Sequence, residues 1–148
     1  MCGIAGFFQN VEATPDHLNQ ATALLSHRGP DDAGLYFDHQ AKVGLGHTRL
    51  AILDLSPLGH QPMASDDGRV VLVFNGEIYN FQELRGQLDS LQPQPWRGHS
   101  DTEVLLRLYL HHRHSGQPLS TLLRQLNGIF AFVSKIKALL PPPFVLYC

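Results

Sequence analysis

Apolar residues along this chain switch between strand spacing and helix spacing, and the switch points divide it into elements. Residues 3–8 form a short apolar run interrupted by glycine, which predicts a strand with close backbone approach at the glycines. Thr14-Pro15-Asp16 then carries the marks of a helix start: an N-cap threonine, a proline at the first helical position and an acid in the first turn. Leu18, Ala21 and Leu25 give that helix an apolar face, and Gly29-Pro30 is its predicted stop. Leu35-Tyr36-Phe37 predicts a strand. In the next one, Val43, Leu45, His47 and Arg49 alternate with Gly44, Gly46 and Thr48, so His47 and Arg49 share a face with two core residues. A charge on such a face is costly without a partner. Arg49 therefore calls for an anion, from the protein or from a ligand.

The run from Arg69 to Phe74 predicts a strand buried on both faces. It ends at Asn75-Gly76-Glu77, with Ile78-Tyr79 as a second short strand. Asn80-Phe81-Gln82-Glu83 and Ser100-Asp101-Thr102-Glu103 both have the spacing of a capping box. Leu84, Leu88 and Leu91 line the first helix, which Pro93 and Pro95 end; Val104, Leu105, Leu108 and His112 line the second. Leu119 to Leu126 predicts one more helix with Gly128 as its stop, and residues 129–133 a buried strand. Strands and helices come in separate runs, which favours an α+β fold.

The last stretch breaks the pattern. From Ser134 the chain leads into Pro141-Pro142-Pro143 and closes on an apolar Phe144-Val145-Leu146-Tyr147-Cys148. The division drawn from this is a domain over residues 1–133 and a divergent Pro-rich apolar tail over 134–148.

Composition narrows the function more than the fold. The 148 residues suit one domain, and a net charge of -2 with 16% charged residues gives no basic field for nucleic acid or anionic membrane. No apolar stretch is long enough to span a bilayer and no basic leader precedes the apolar opening, so the expected compartment is the cytoplasm. Cys2 and Cys148 lie at opposite ends and make no disulfide framework.

Candidate chemistry begins at Cys2. With Met1 removed, this residue carries a thiol and a free α-amine of pKa ~7.7–8.0, a nucleophile and a base together. The competing reading is a buried cysteine that opens a strand. A thiolate attacking an amide needs oxyanion donors, and Asn75 and the Gly76 N–H are suitable types. An amino-acid substrate needs a cation and an anion, and Arg49 and Asp101 are suitable. Each also has a plain reading: Asn75-Gly76 as a turn, Arg49 paired with Asp54, Asp101 supporting a helix start. Spacing alone leaves both open. His111, His112 and His114 do not share a helix face and make a poor metal chelate, so no metal site is expected.

The motifs, taken together, carry a resemblance. Cys2-Gly3-Ile4-Ala5-Gly6 resembles the opening of class II glutamine amidotransferases, whose domain is an N-terminal-nucleophile (Ntn) hydrolase. The segments 26–34, 46–56, 59–63, 74–80 and 100–103 are similar to the glutaminase domain of glutamine-hydrolysing asparagine synthetases. The resemblance implies an αββα sandwich of two antiparallel sheets. It implies Cys2 as nucleophile with its amine as base, and Asn75 and Gly76 as the oxyanion hole. It implies that Arg49 holds the glutamine carboxylate and Asp101 its amine, with Glu77 assisting and Leu50, Ile52 and Leu53 lining the pocket. The glutaminase reaction so implied uses no cofactor; ATP and Mg²⁺ belong to a synthetase domain normally in the same chain.

Two departures set further expectations. Ser134 onward replaces the family's continuing strands, and no Ser-Gly-Gly-x-Asp-Ser segment is present. The sandwich is therefore expected to be C-terminally incomplete, the product of a broken or frameshifted gene. Another class II amidotransferase is the alternative enzyme, against which Glu77-Ile78-Tyr79-Asn80 argues. An inactive remnant or interaction module is the alternative outside catalysis.

Overall fold

The computed structural model describes residues 2–10 and 12–137, and the backbone of 145–147. Met1, the three prolines of the tail and Cys148 lie outside the described residues. The strands are β1 (Gly3–Phe8), β2 (Asp32–Asp38), β3 (Val43–Arg49), β4 (Met63–Ala64), β5 (Val70–Ile78), β6 (Gly128–Ile136) and β7 (Val145–Tyr147). The helices are α1 (Pro15–Ala23), α2 (Phe81–Leu91), α3 (Asp101–His114) and α4 (Leu119–Leu123). Two antiparallel sheets form, in the orders β1-β3-β2 and β4-β5-β6-β7. Helix α1 covers the outside of the first sheet and α3, backed by α2 and α4, the outside of the second, while β1 and β3 meet β5 between them. The result is the αββα layering of an α+β sandwich.

The alternation in β3 explains the layering. All seven of its residues are buried, because both faces are covered. Val43 and Leu45 turn inward and pack with Val71 and Val73 of β5. Gly44 and Gly46 turn outward to α1: a Cβ on Gly46 would lie 2.0 Å from Thr22 Oγ1, so only glycine lets this helix sit down on the strand. The helix face accordingly differs from the expected one. Leu18 and Thr22 are its buried residues and Ala21 is exposed, since Thr22 satisfies its hydroxyl on the Leu18 carbonyl at 2.8 Å. Thr14 caps α1 as expected, and the helix stops at Ala23, ahead of Gly29-Pro30.

The larger core lies between the second sheet and its helices, where Leu72, Phe74 and Ile78 meet Leu84, Val104, Leu105 and Tyr109. Each such side chain fully withdrawn from water contributes about 1.5–3 kcal/mol before entropy is counted. Leu84 and Leu88 face this core, but Leu91 ends α2 at 61% exposed.

Several local expectations are corrected. Ile78 does not begin a new strand: β5 runs unbroken through Asn75-Gly76, and Gly76 pairs with Phe130. Gly76 has φ of +154°, and a Cβ there would lie 2.3 Å from the Ile129 carbonyl oxygen. The glycine thus serves a close crossing inside a strand, not a turn. Asn80 makes no capping bond to α2. Its side chain instead donates to Gln125 O at 2.9 Å and accepts from Asn127 N at 3.0 Å, fixing the approach to β6. Helix α4 is five residues long, Gly128 opens β6, and Ile129 in that strand is 69% exposed. Strand β6 continues to Ile136, with Ser134 and Lys135 buried.

Candidate active site

At one end of the layer between the sheets lies a cavity of about 190 Å³. Of the expected site residues, Cys2, Arg49, Leu50, Ile52, Leu53, Gly76, Glu77 and Asp101 line it, and Asn75 does not. Asn75 shares the inward-facing register of Val71 and Val73, and its Oδ1 is buried without a hydrogen-bond partner.

Cys2 stands at the head of β1, whose pairing brings it beside the end of β3. Its Sγ accepts from the Leu50 N–H at 3.4 Å, and its main-chain carbonyl accepts from Arg28 Nε at 3.0 Å. The thiol is free, so the nucleophile candidate is held at both its main chain and its sulfur.

Arg49 closes β3 and is 8% exposed. Its Nη1 donates to Ser56 O at 2.9 Å and its Nη2 to Asp54 O, so main-chain carbonyls of the following loop hold the guanidinium. Neither partner is an anion. The Asp54 carboxylate is occupied elsewhere, accepting from His99 N at 2.8 Å, Ser56 N at 2.9 Å and Ser56 Oγ at 2.6 Å. Burial alone would raise its pKa, but these bonds, aided by the charge on Arg49, bring it below the ordinary carboxylate range. The simple pairing of Arg49 with the Asp54 carboxylate is therefore replaced by a bond to its backbone. Because a guanidinium carries five N–H donors, three remain beyond these two bonds.

Asp101 is the first residue of α3. Ser100 caps the helix by accepting from Glu103 N at 3.2 Å. The Glu103 carboxylate does not complete the box; it turns to Arg97 N at 3.0 Å and Gly98 N at 2.9 Å. Asp101 Oδ2 accepts from the Ile78 N–H at 3.1 Å, which ties the helix start to β5. Burial pushes the Asp101 carboxyl up to about 6, and the nearby Glu77 charge adds to the rise. A cation arriving between these two acids would offset their mutual repulsion.

The cavity thus sets a thiol beside a backbone amide, with a buried cation and a buried acid in the same wall. Sequence reasoning gave no role in the site to several other wall residues, Gln61, Tyr79, Thr102 and Ile129 among them. Gln61 lies in a motif quoted above for its resemblance, but nothing in its spacing signals a buried polar role. Among the described residues no group of three or more His, Cys, Asp or Glu side chains is arranged to hold a metal ion. No described helix is long and apolar enough to cross a membrane.

Comparison with known proteins shows the family and the fold. The family model described as "Glutamine amidotransferase domain" matches residues 1–138. Asparagine synthetase [glutamine-hydrolyzing] 1 of Bacillus subtilis (strain 168) is 38% identical over 138 residues, covering 90% of this chain and 20% of its own length. Amidase chry2 of Gibberella zeae is 36% identical over 146 residues, again 90% of this chain and 20% of that protein. The chain therefore spans about a fifth of the length of these relatives. Among solved structures, the glutamine phosphoribosylpyrophosphate amidotransferase of B. subtilis superposes with a TM-score of 0.65 over 91% of this chain and 34% of that one, at 23% identity. That likeness establishes the Ntn-hydrolase fold.

Proposed function

Because this chain belongs to the glutamine amidotransferase family, we propose that its cavity hydrolyses the side-chain amide of glutamine through a cysteinyl thioester. The observation that carries the reading is the convergence of Cys2, Gly76, Arg49 and Asp101 on one cavity. Arg49 and Asp101 offer opposite charges to the two ends of an amino-acid zwitterion, and Glu77 adds to the acid side. Leu50, Ile52 and Leu53 form the wall along the substrate's chain.

The thiol of Cys2, with Met1 removed, passes its proton to its own α-amine as Sγ bonds to the amide carbon. The carbonyl pair moves onto oxygen, where the Gly76 N–H stabilises it and the Asn75 side-chain amide, turning in from its buried place behind the cavity wall, donates as well. Collapse of this intermediate breaks the C–N bond, and the ammonium returns its proton to the departing nitrogen as ammonia. Water then attacks the thioester, the amine again taking and returning the proton, and glutamate leaves with the thiol restored. The steps use a thiol, an amine and water, and no cofactor. We assign the reaction to the cytosol, where such a thiol is kept reduced.

The fate of the ammonia lies beyond the glutaminase step. We propose, from the asparagine synthetase relatives, a synthetase partner domain that activates aspartate with ATP and Mg²⁺. The amidase relative of equal coverage favours a second reading, in which the same amide cleavage serves a different whole. Both share the glutaminase step. Cys2→Ala is expected to lower glutamate release by about 10³-fold or more; turnover near the parent's rate would remove Cys2 as nucleophile.

A further inference from the structure

The cavity wall holds a buried side chain that the proposed chemistry leaves unused. Gln61 is 4% exposed and stands just before β4, whose pairing with β5 ends at Met63↔Leu72. Two residues further along β5 the ladder's place is taken by a side chain: the Phe74 N–H donates to Gln61 Oε1 at 2.6 Å. Gln61 Nε2 donates in turn to Thr102 Oγ1 at 3.3 Å, in the first turn of α3 and next to Asp101. From the other sheet, His47 reaches the Phe74 carbonyl with Nε2 at 3.0 Å. Burial draws the His47 pKa down to about 4, so its ring is neutral and Nε2–H is the donor. Both polar main-chain atoms of Phe74 are thus held by side chains.

This matters because of what comes next on the strand. Main-chain N–H groups alternate in direction, so those of Phe74, Gly76 and Ile78 turn to the same edge of β5. Gln61 takes the first and Asp101 the third, at 3.1 Å. Gly76, between them, lines the cavity, and this alternation gives its amide as the donor for an oxyanion there.

We propose that Gln61 is a positioning residue for the oxyanion donors: bridging Phe74 to Thr102, it fixes where β5 presents the Gly76 amide relative to the helix that carries Asp101. The inference rests on the glutaminase reading above. Without the Oε1 acceptor the Phe74 N–H is buried and unpaired, and β5 shifts to satisfy it. A displacement of about 1 Å at a reacting group costs on the order of 10²-fold in rate.

The test is Gln61→Met in the full chain beside the parent, which keeps the volume and removes both bonds. The expected result is a fall in kcat for glutamine of about 10- to 100-fold, with KM within about threefold. Alkylation of Cys2 by iodoacetamide, a displacement that needs no oxyanion donor, should proceed at the parent's rate. Thr102→Val keeps the Phe74 bond and frees only the anchor; its expected loss is about threefold in kcat, and it decides the matter if Gln61→Met does not fold. Unchanged kcat in the variant that folds would overturn the inference. So would a rise in KM alone, or alkylation slowing in step with kcat, which would place Gln61's effect on the nucleophile or the fold at large. A parent that releases no glutamate would instead remove the glutaminase reading itself, and the inference with it.

Discussion

Strands β3 and β5 face one another across the interior, and the two ends of their shared layer follow opposite rules. At one end Val43, Leu45, Val71 and Val73 close against each other, and nothing polar is asked of them. Four residues further along, the same strands present His47, Arg49 and Asn75. Buried polar groups are costly unless hydrogen-bonded, and here only part of that demand is met. His47 Nε2 and the Arg49 guanidinium find main-chain carbonyls, whereas His47 Nδ1 and Asn75 Oδ1 find no partner. One pair of strands thus divides the work: the apolar end supports the fold, and the polar end leaves hydrogen-bonding capacity unused, which the proposed glutamine site would draw on.

The sharpest way to break this division is at the apolar end. Leu45→Ala is expected to cost about 2–5 kcal/mol of stability. Its melting temperature should fall on the order of 10 °C, with glutamine kcat/KM, measured well below the midpoint, within about twofold of the parent. A variant that melts like the parent yet turns over slowly would show that the two ends are not separable. Asn75→Ala, at the polar end, should do the reverse. Its kcat should fall about 10²- to 10³-fold, the worth of one oxyanion donor at about 2.7–4 kcal/mol, while the melting temperature stays within about 2 °C. Equal losses in both quantities would return Asn75 to the structural side.

Arg49→Ala comes next in size. Losing a charge-assisted bond to a carboxylate is worth about 1.5–3 kcal/mol, which predicts a KM about 10- to 100-fold higher with kcat restored at saturation. An unchanged KM would count against the carboxylate role.

The smallest effect is a pH dependence at Asp101. Its carboxyl is raised from 3.8 to about 6 in the folded protein, so the folded state holds the proton more tightly than the unfolded chain. That contribution to stability is full below about 3.8 and is lost as pH rises through about 6. Asp101→Asn and the parent should therefore melt alike near pH 4, with the variant the more stable by pH 7. A gap that stays constant across that range would contradict the burial of an ionising group there.

The outline of both ends was legible in the sequence, and the details that failed share a cause. The alternation of Val43, Leu45, His47 and Arg49 placed all four on one face, because a strand's period is fixed by its backbone. Thr14-Pro15 and Ser100 gave their helix starts for the same local reason. Asn80-x-x-Glu83 carries the same signal, yet Asn80 spends its amide on Gln125 and Asn127, more than forty residues away. Glu103 likewise turns from its box to Arg97 and Gly98. Asn75-Gly76 suggested a turn because both residues favour one, and the β6 backbone crossing at Gly76 is a tertiary demand that no local window contains. Gln61 was missed on the same ground: its partners, Phe74 and Thr102, come together only once β5 and α3 have packed.

The most direct test of the account is glutamate release from glutamine by the purified chain, with intact mass recorded on the same sample. Turnover is expected from protein whose mass lacks Met1, and none from protein that retains it. Protein free of Met1, with an unmodified Cys2 thiol and no glutamate release, would contradict it.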